Sequence, residues 1–392
     1  MICSLSASAV GVGRASAATR LRCDVTLRLG KGSLAGRPKG LGRSVACRAA
    51  VKDEGHPASE KGTTPTQAAD EATEEGTNGV PKSDQYSAEM QQKMGGSLAY
   101  KHEDGINFAY VLPDIIVGSC PQSPEDVDRL AEEGVGTIFC LQEDHDSRYF
   151  GFEISDIQAA CEERGDIQHV RVPVGDFDPF SLRLNLPKAV ALIHAAHMSH
   201  PTKSVYIHCT AGLGRAPGTA LAYMYWMRGF ELMEAHKKLM EVRPCHPKLE
   251  AIRAATCDVL YAGGRTECKI SVYRYNPCQI VQIAGLDVGW SRLLDLQYDS
   301  AKKRFVLERS LLPGRYAYKF VWDGVWSYSA DHPTYSDGDH TNNFLQVVGS
   351  SDPAELAARE RITSANGTTT PEERDTIMQS ISQQSELLSS ST

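Results

Sequence analysis

The stretch SVYIHCTAGLGRAP, residues 204–217, carries one cysteine and one arginine across a glycine-rich turn. An apolar strand that ends in such a turn before a helix points several backbone N–H groups into one concavity, which binds anions. Gly212 and Gly214 let the loop Thr210–Ala211–Gly212–Leu213–Gly214 approach a ligand without Cβ clashes. Pro217 suits a first helical turn. Arg215 supplies a planar fork matched to two phosphate oxygens. A cysteine in that positive field, Cys209, is expected to ionise near neutrality. Thiolate, anion nest and guanidinium together describe a nucleophile aimed at a phosphoryl group.

The string from His208 to Arg215 resembles the Cys-x5-Arg signature of cysteine-dependent phosphatases. Such chemistry needs an acid for the leaving alkoxide. The segment GDFDPF, which follows the apolar run IQHVRVPV, offers Asp176 and Asp178. Asp176 is the preferred acid, and Asp178 is the alternative, or a cap for a helix beginning near Leu186. Ala216 follows the arginine where many relatives place Ser or Thr, which predicts slower hydrolysis of a phosphocysteine.

The elements that must hold these groups can be read along the chain. DIIVGS, GTIFCLQ, IQHVRVPV and SVYIHC are strand-like, and SPEDVDRLAEEG, LPKAVALIHAAHMSH and KLEAIRAATCDVLYAG have helical periodicity. Their alternation predicts an α/β phosphatase domain over 96–264, with a central, mainly parallel sheet flanked by helices. After Gly264 short strands follow one another closely, which predicts an all-β sandwich over 265–350. Asp323-Gly324 is a hairpin signal between two tryptophan-bearing runs. In RYAYKFVW, Tyr316, Tyr318, Phe320 and Trp322 share one face, read as core, and Lys319 stands on the other. Residues 351–392 read as a helical segment with a disordered tail.

Residues 1–52 hold one acidic residue, Asp24, among many arginines, with Ser, Ala and Gly between them. This is the composition of a chloroplast transit peptide. Residues 53–95 read as a polar, disordered linker.

With CTAGLGRAP, the runs FCLQEDHD, RYFG, DFDPFSLR and the C-terminal GLDVGW, YKFVWDGVW and DGDHTNN resemble the plant starch-excess-type glucan phosphatases, functional relatives of laforin. The resemblance runs from about Met90 to about residue 350. It implies a dual-specificity phosphatase domain joined to a glycogen-binding-type carbohydrate module, acting on phosphate monoesters of starch glucan. It makes Cys209 the nucleophile, Arg215 the phosphate clamp and Asp176 the general acid. It makes Tyr100, Tyr149, Phe150 and Phe177 an aromatic channel, which suits the apolar faces of sugar rings. His246 stands where the family tends to have another aromatic. In the second domain it points to Trp290, Lys319, Trp326, His340 and Asn342 as glucan contacts. It also implies a reversible Cys140–Cys209 disulfide, reduced by a plastid dithiol, and a place in the chloroplast stroma at the starch granule surface.

Two other readings keep part of this pattern: a glucan-tethered protein phosphatase, and a starch-binding scaffold without catalysis. The net charge of −8, with no basic stripe, argues against a nucleic-acid partner. No apolar run reaches the length of a membrane span. The 11 cysteines show no CxxC pair or Cys/His cluster in sequence, so no disulfide framework, metal or cofactor is expected. Nothing in the pattern demands more than a monomer.

Overall fold

The computed structural model describes residues 22–24, 80–261, 264–273, 278–290, 292–337 and 340–390. Of the expected leader, Arg22–Asp24 fall within the described residues, as the short strand β1. The rest of the leader, and the linker up to residue 79, lie outside them.

The last part of the expected linker is a helix, α1 (Lys82–Met94). Its polar composition hides a buried stripe, Ser83, Ser87 and Met90, at helical spacing. Met90 enters the main core of the domain that follows. The linker reading is therefore corrected over 82–94: few apolar residues suffice when they all lie on one face.

The phosphatase domain builds one sheet from β2 (Phe108–Leu112), β3 (Ile115–Gly118), β4 (Val135–Cys140), β5 (Gln168–Arg171) and β6 (Ser204–His208). The order is β2-β3-β6-β4-β5, and every pair is parallel except β2 with β3. The helices are α2 (Pro124–Glu132), α3 (Asp144–Phe150), α4 (Ile154–Arg164), α5 (Pro179–Ser199), α6 (Arg215–Met227), α7 (Leu232–Val242) and α8 (Leu249–Tyr261). β3 and β4 are buried along their whole length, as strands covered on both faces must be. One face packs Ile138 and Tyr206 against Val127 and Leu130 of α2 and Ile157 of α4. The other packs Phe139 and Ile207 against α5, α6 and α8.

The helix expected to begin near Leu186 begins at Pro179. Asp178 caps it, accepting from Phe180 N at 2.9 Å and Ser181 N at 3.1 Å, and Pro179 takes the first-turn position.

The second domain has the strands β7 (Thr266–Tyr273), β8 (Val281–Gly285), β9 (Leu293–Asp295), β10 (Gln297–Asp299) and β11 (Arg304–Leu311). It continues with β12 (Gly314–Trp322), β13 (Val325–Ser327), β14 (Thr334–Asp337) and β15 (His340–Val347). They form two sheets, β1-β7-β11-β10 and β14-β15-β12-β8-β9, with β13 hairpinned onto β12. Asp323 and Gly324 take φ of 44° and 86° in that hairpin turn. Tyr316, Tyr318 and Phe320 are buried between the sheets, with Trp322 packed against them.

Two helices follow, α9 (Pro353–Thr363) and α10 (Pro371–Ser389). α10 sends Ile377 and Ile381 into the phosphatase core. It runs on through the serines expected to be disordered, because its buried face includes Ser385. No helix of the described residues is long and apolar enough to cross a membrane.

Candidate active site

The turn between β6 and α6 has the shape that its glycines predict. Gly212 sits at φ +67°, and a Cβ there would lie 2.3 Å from Gly118 O. Arg243 holds the loop from outside: its Nε donates to Gly212 O at 2.8 Å and its Nη2 to Ala211 O at 2.9 Å. With those carbonyls engaged on the outer side, the N–H groups of Thr210–Gly214 are left for the concave side. Cys209 is buried at the strand end, with the loop and the start of α6 ahead of it.

Arg215 is 3% exposed and fully engaged on one edge. Its Nη1 donates to Asp146 Oδ2 at 2.6 Å and to Val174 O at 2.9 Å, and its Nη2 to Thr210 Oγ1 at 3.2 Å. Gln142 Nε2 donates to the same Thr210 oxygen at 3.1 Å. Arg215 Nε is buried with no hydrogen-bond partner among the described residues. The guanidinium is thus held in place through both terminal nitrogens, with Nε left as the donor for an anion.

Of the two loop carboxylates, Asp176 is the one at the site. Its Oδ2 lies 3.0 Å from Arg215 Nη2 and accepts from Tyr86 Oη at 2.9 Å. Phe177 N donates to Oδ1 at 3.0 Å. Burial pushes the Asp176 carboxyl above its ordinary range, and this outweighs the opposing pull of Arg215. Phe177 holds φ at +56°, a strained conformation for a non-glycine residue next to the carboxylate.

The aromatic residues read from the sequence are brought together. Phe150 meets Tyr86 at 5.7 Å, Tyr100 at 5.8 Å and Tyr149 at 4.9 Å between ring centroids. Phe177 lies 6.0 Å from Tyr86. Tyr149 is exposed and Phe150 and Phe177 half-buried, whereas Tyr100 is 3% exposed beneath them. Tyr100 Oη pairs with His102 Nδ1 at 2.8 Å, so it supports the aromatic wall from behind. A cavity of about 630 Å³ joins Thr210, Asp176, Tyr149, Phe150 and Phe177 to Val288 and Arg292 of the second domain. His246 is set behind the loop, its N–H donating to Leu213 O at 2.7 Å.

In the second domain, Lys319 and Trp326 share a face of β12 and β13, since Trp326 pairs with Val321. Alternation along β15 puts His340 and Asn342 on that same face. Trp290 and Trp326 are exposed, at 43% and 49%, while Asn342 is buried at 5%. Trp290 lies in the loop between β8 and β9, beside Val288 of the cavity wall.

Cys140 pairs in register with His208, one residue before Cys209. Cys140 therefore shares the α2/α4 side of the sheet with His208, and Cys209 packs in the opposite core. Both thiols are free. His169 of β5 completes a cluster: one ligand atom each from Cys140, His169 and His208 lie within 4.8 Å of one another. Burial pushes His208 down to about 3 and His169 to about 4, and lifts the Cys140 thiol to about 11.

Sequence reasoning missed Tyr86, Gln142, Asp146, Arg243 and this three-residue cluster. For Tyr86 a signal was present: Tyr86, Met90 and Met94 recur at helical spacing inside the polar segment. Gln142, Asp146 and Arg243 reach the loop or Arg215 by tertiary contact alone, and the cluster is assembled by strand register.

Residues 106–263 match the family model described as Swiss Army Knife protein, DSP-PTPase phosphatase domain. Residues 272–353 match the glycogen recognition site of AMP-activated protein kinase. The amyloplastic phosphoglucan phosphatase DSP4 of Castanea sativa is 42% identical over 302 residues, covering 76% of this chain and 80% of that protein. The chloroplastic phosphoglucan phosphatase LSF1 of Arabidopsis thaliana is 29% identical over 262 residues, 65% of this chain and 44% of that protein. Mouse laforin is 28% identical over 149 residues, 36% of this chain and 44% of its own length.

Proposed function

The chain belongs to the phosphoglucan phosphatases, and from that membership we propose how its own residues carry out the reaction. It hydrolyses phosphate monoesters on starch glucan through a phosphocysteine. The observation that carries this reading is the continuous cavity from the Cys209 loop, along Tyr149, Phe150 and Phe177, to Val288 and Arg292 of the second domain. A phosphoester on a polymer needs both an anion nest and a groove for the chain; here one wall supplies each.

In the first step the Cys209 thiolate attacks phosphorus, and the phosphorus–oxygen bond to the sugar breaks. Asp176 gives its proton to the leaving alkoxide, so the glucan departs with a hydroxyl. Arg215 and the loop N–H groups hold the phosphoryl oxygens as charge develops on them. In the second step Asp176, now ionised, takes a proton from water. The water oxygen attacks phosphorus, and the sulfur leaves as thiolate with inorganic phosphate released.

Lys319, Trp326, His340 and Asn342 on one sheet face, with Trp290 on the cavity-side loop, supply the glucan grip. The plastid is the compartment, in keeping with its relatives and its basic leader. We place the protein there on the granule surface, through that face. The Cys140–Cys209 pairing stays in this reading as an oxidised, inactive form returned by a plastid dithiol. It requires Cys209 to turn across the sheet. Thiol trapping over a dithiol redox series should reveal the pair, and its absence would remove this part.

The test of the function measures phosphate release from phosphorylated amylopectin and from phosphopeptides side by side. The glucan is expected to turn over faster, and Cys209→Ser to release nothing. Faster turnover of peptides would replace the reading with that of a glucan-tethered protein phosphatase.

A further inference from the structure

Three side chains far apart in the chain meet at the edge of the phosphatase sheet, and the reaction above uses none of them as a cluster. Cys140 ends β4, His208 ends β6 beside it, and His169 lies on the edge strand β5. Ile138 pairs with both His169 and Tyr206, so register places all three residues of the cluster on one face.

The imidazole of His208 is 2% exposed. Its Nδ1 lies 3.2 Å from Cys209 O. A carbonyl can only accept, so Nδ1 carries the proton and Nε2 carries a lone pair. Among the described residues that buried Nε2 has no hydrogen-bond partner, and neither does His169 Nδ1. Leaving one buried polar atom unsatisfied costs about 1–3 kcal/mol. Two such nitrogens, on histidines that each bring a ring nitrogen within 4.8 Å of a buried free thiol, call for a shared partner. A ring N–H donated to a backbone carbonyl is also how proteins orient a metal-ligating histidine.

We propose that Cys140, His169 and His208 bind a borderline-soft divalent cation of the zinc type, through one thiolate and two neutral imidazoles, with a fourth position open. Bond lengths of about 2.3 Å to sulfur and 2.0–2.1 Å to nitrogen bring tetrahedral ligands within roughly 3.5 Å of one another. The 4.8 Å spread thus closes by a small swing of His169. His169 is half-buried on the sheet edge and lines a surface cavity of about 750 Å³, which gives the ion a route in. The nearby Arg171 is no bar, because its guanidinium is paired with Asp144 at 2.6 Å and donates to Gln142 O. Binding releases the Cys140 proton to solvent. The soft sulfur and imidazole donors select against magnesium and calcium.

The experiment titrates Co²⁺ into the full-length, reduced, chelator-treated protein and reads the near-ultraviolet thiolate-to-cobalt charge-transfer band. One equivalent should produce the band, and one equivalent of Zn²⁺ should abolish it. Cys140→Ser and His169→Gln should each lose it, while Cys209→Ser keeps it. No band in the wild type, a band that survives either ligand variant, or loss in Cys209→Ser would overturn the site. X-ray absorption of the zinc-loaded wild type decides independently of any variant's folding: one sulfur with at least two nitrogens supports the site, and any other sulfur count refutes it. The glucan reading stands or falls separately, since none of these readouts uses phosphate release.

Discussion

Asp176, the proposed general acid, is held between opposing influences. Arg215 at 3.0 Å favours its ionised form, and burial favours the protonated one. The groups that face it are Tyr86 from α1, Arg215 from α6 and, at longer range, Asp146 from α3. Burial wins, so the carboxyl keeps its proton to higher pH than an ordinary aspartate. An acid must be protonated to act, so the raised value extends activity upward and moves the falling limb of the kcat/KM profile to higher pH. Asp176→Asn should lower turnover of glucan phosphate by roughly 10²–10⁴-fold and erase that limb. A variant that keeps the limb would transfer the role to another residue. Asp178, the alternative, is occupied as a helix cap. Cys209, Arg215 and the pair of candidate aspartates were legible because they lie in short runs of local grammar, and the fold puts Asp176 beside Arg215. Tyr86, which bonds to Asp176, was not, because nothing in a segment of Lys, Gln and Ser says which loop its helix will meet.

The anion loop depends on two supports that enter from different elements. Gly118 at the end of β3 presses against Gly212, and Arg243 just after α7 ties two loop carbonyls. Gly212 must lack a Cβ for this approach, and Gly118 must lack one for a different neighbour. At Gly118 a Cβ would meet Tyr206 Oη at 2.1 Å. Arg243→Lys keeps the charge but loses the fork, so the carbonyls are no longer held together. We expect it to cut kcat for a small aryl phosphate by at least tenfold with KM rising, and to spare starch binding through the proposed sandwich face. Unchanged kinetics would show that the loop holds its own shape. Gly212→Ala should be inactive and destabilised, since neither the positive φ nor the 2.3 Å contact tolerates a methyl group. The glycines were readable as loop formers, but their contact partners were not. The helices differ likewise: α2 and α8 announced themselves by period, whereas α1 carries only the sparse run Tyr86, Met90 and Met94 in a polar segment, and the full length of α5 was obscured by Pro187 inside it.

The two domains meet through α5. Phe180 stacks on Tyr316 of β12, with centroids 5.1 Å apart and planes 12° from parallel. One turn on, Arg183 is 6% exposed at its side chain and bonds Asp258 of α8 through both Nε and Nη2, at 2.6 and 2.7 Å. The same Nη2 donates to Pro313 O of the sandwich at 2.8 Å. Arg183 thus ties the α5–α8 pair to the edge of the sandwich, and α5 also begins at the cap of the acid loop. The orientation of Val288 and Arg292 over the cavity depends on this junction. A polymer that spans both domains needs that orientation; a small aryl phosphate needs only the Cys209 loop. Arg183→Met should therefore lower turnover of phosphorylated amylopectin well beyond its effect on an aryl phosphate. It should also destabilise the fold by about 1–3 kcal/mol, because the half-buried Asp258 loses its charge-assisted hydrogen bonds. The double variant Arg183→Met with Asp258→Asn removes that stranded charge, so stability should return in large part while the loss on the polymer remains. If the double variant regained full activity on amylopectin, the arginine would be a local stabiliser, and the domains would hold their alignment through the Phe180–Tyr316 stack.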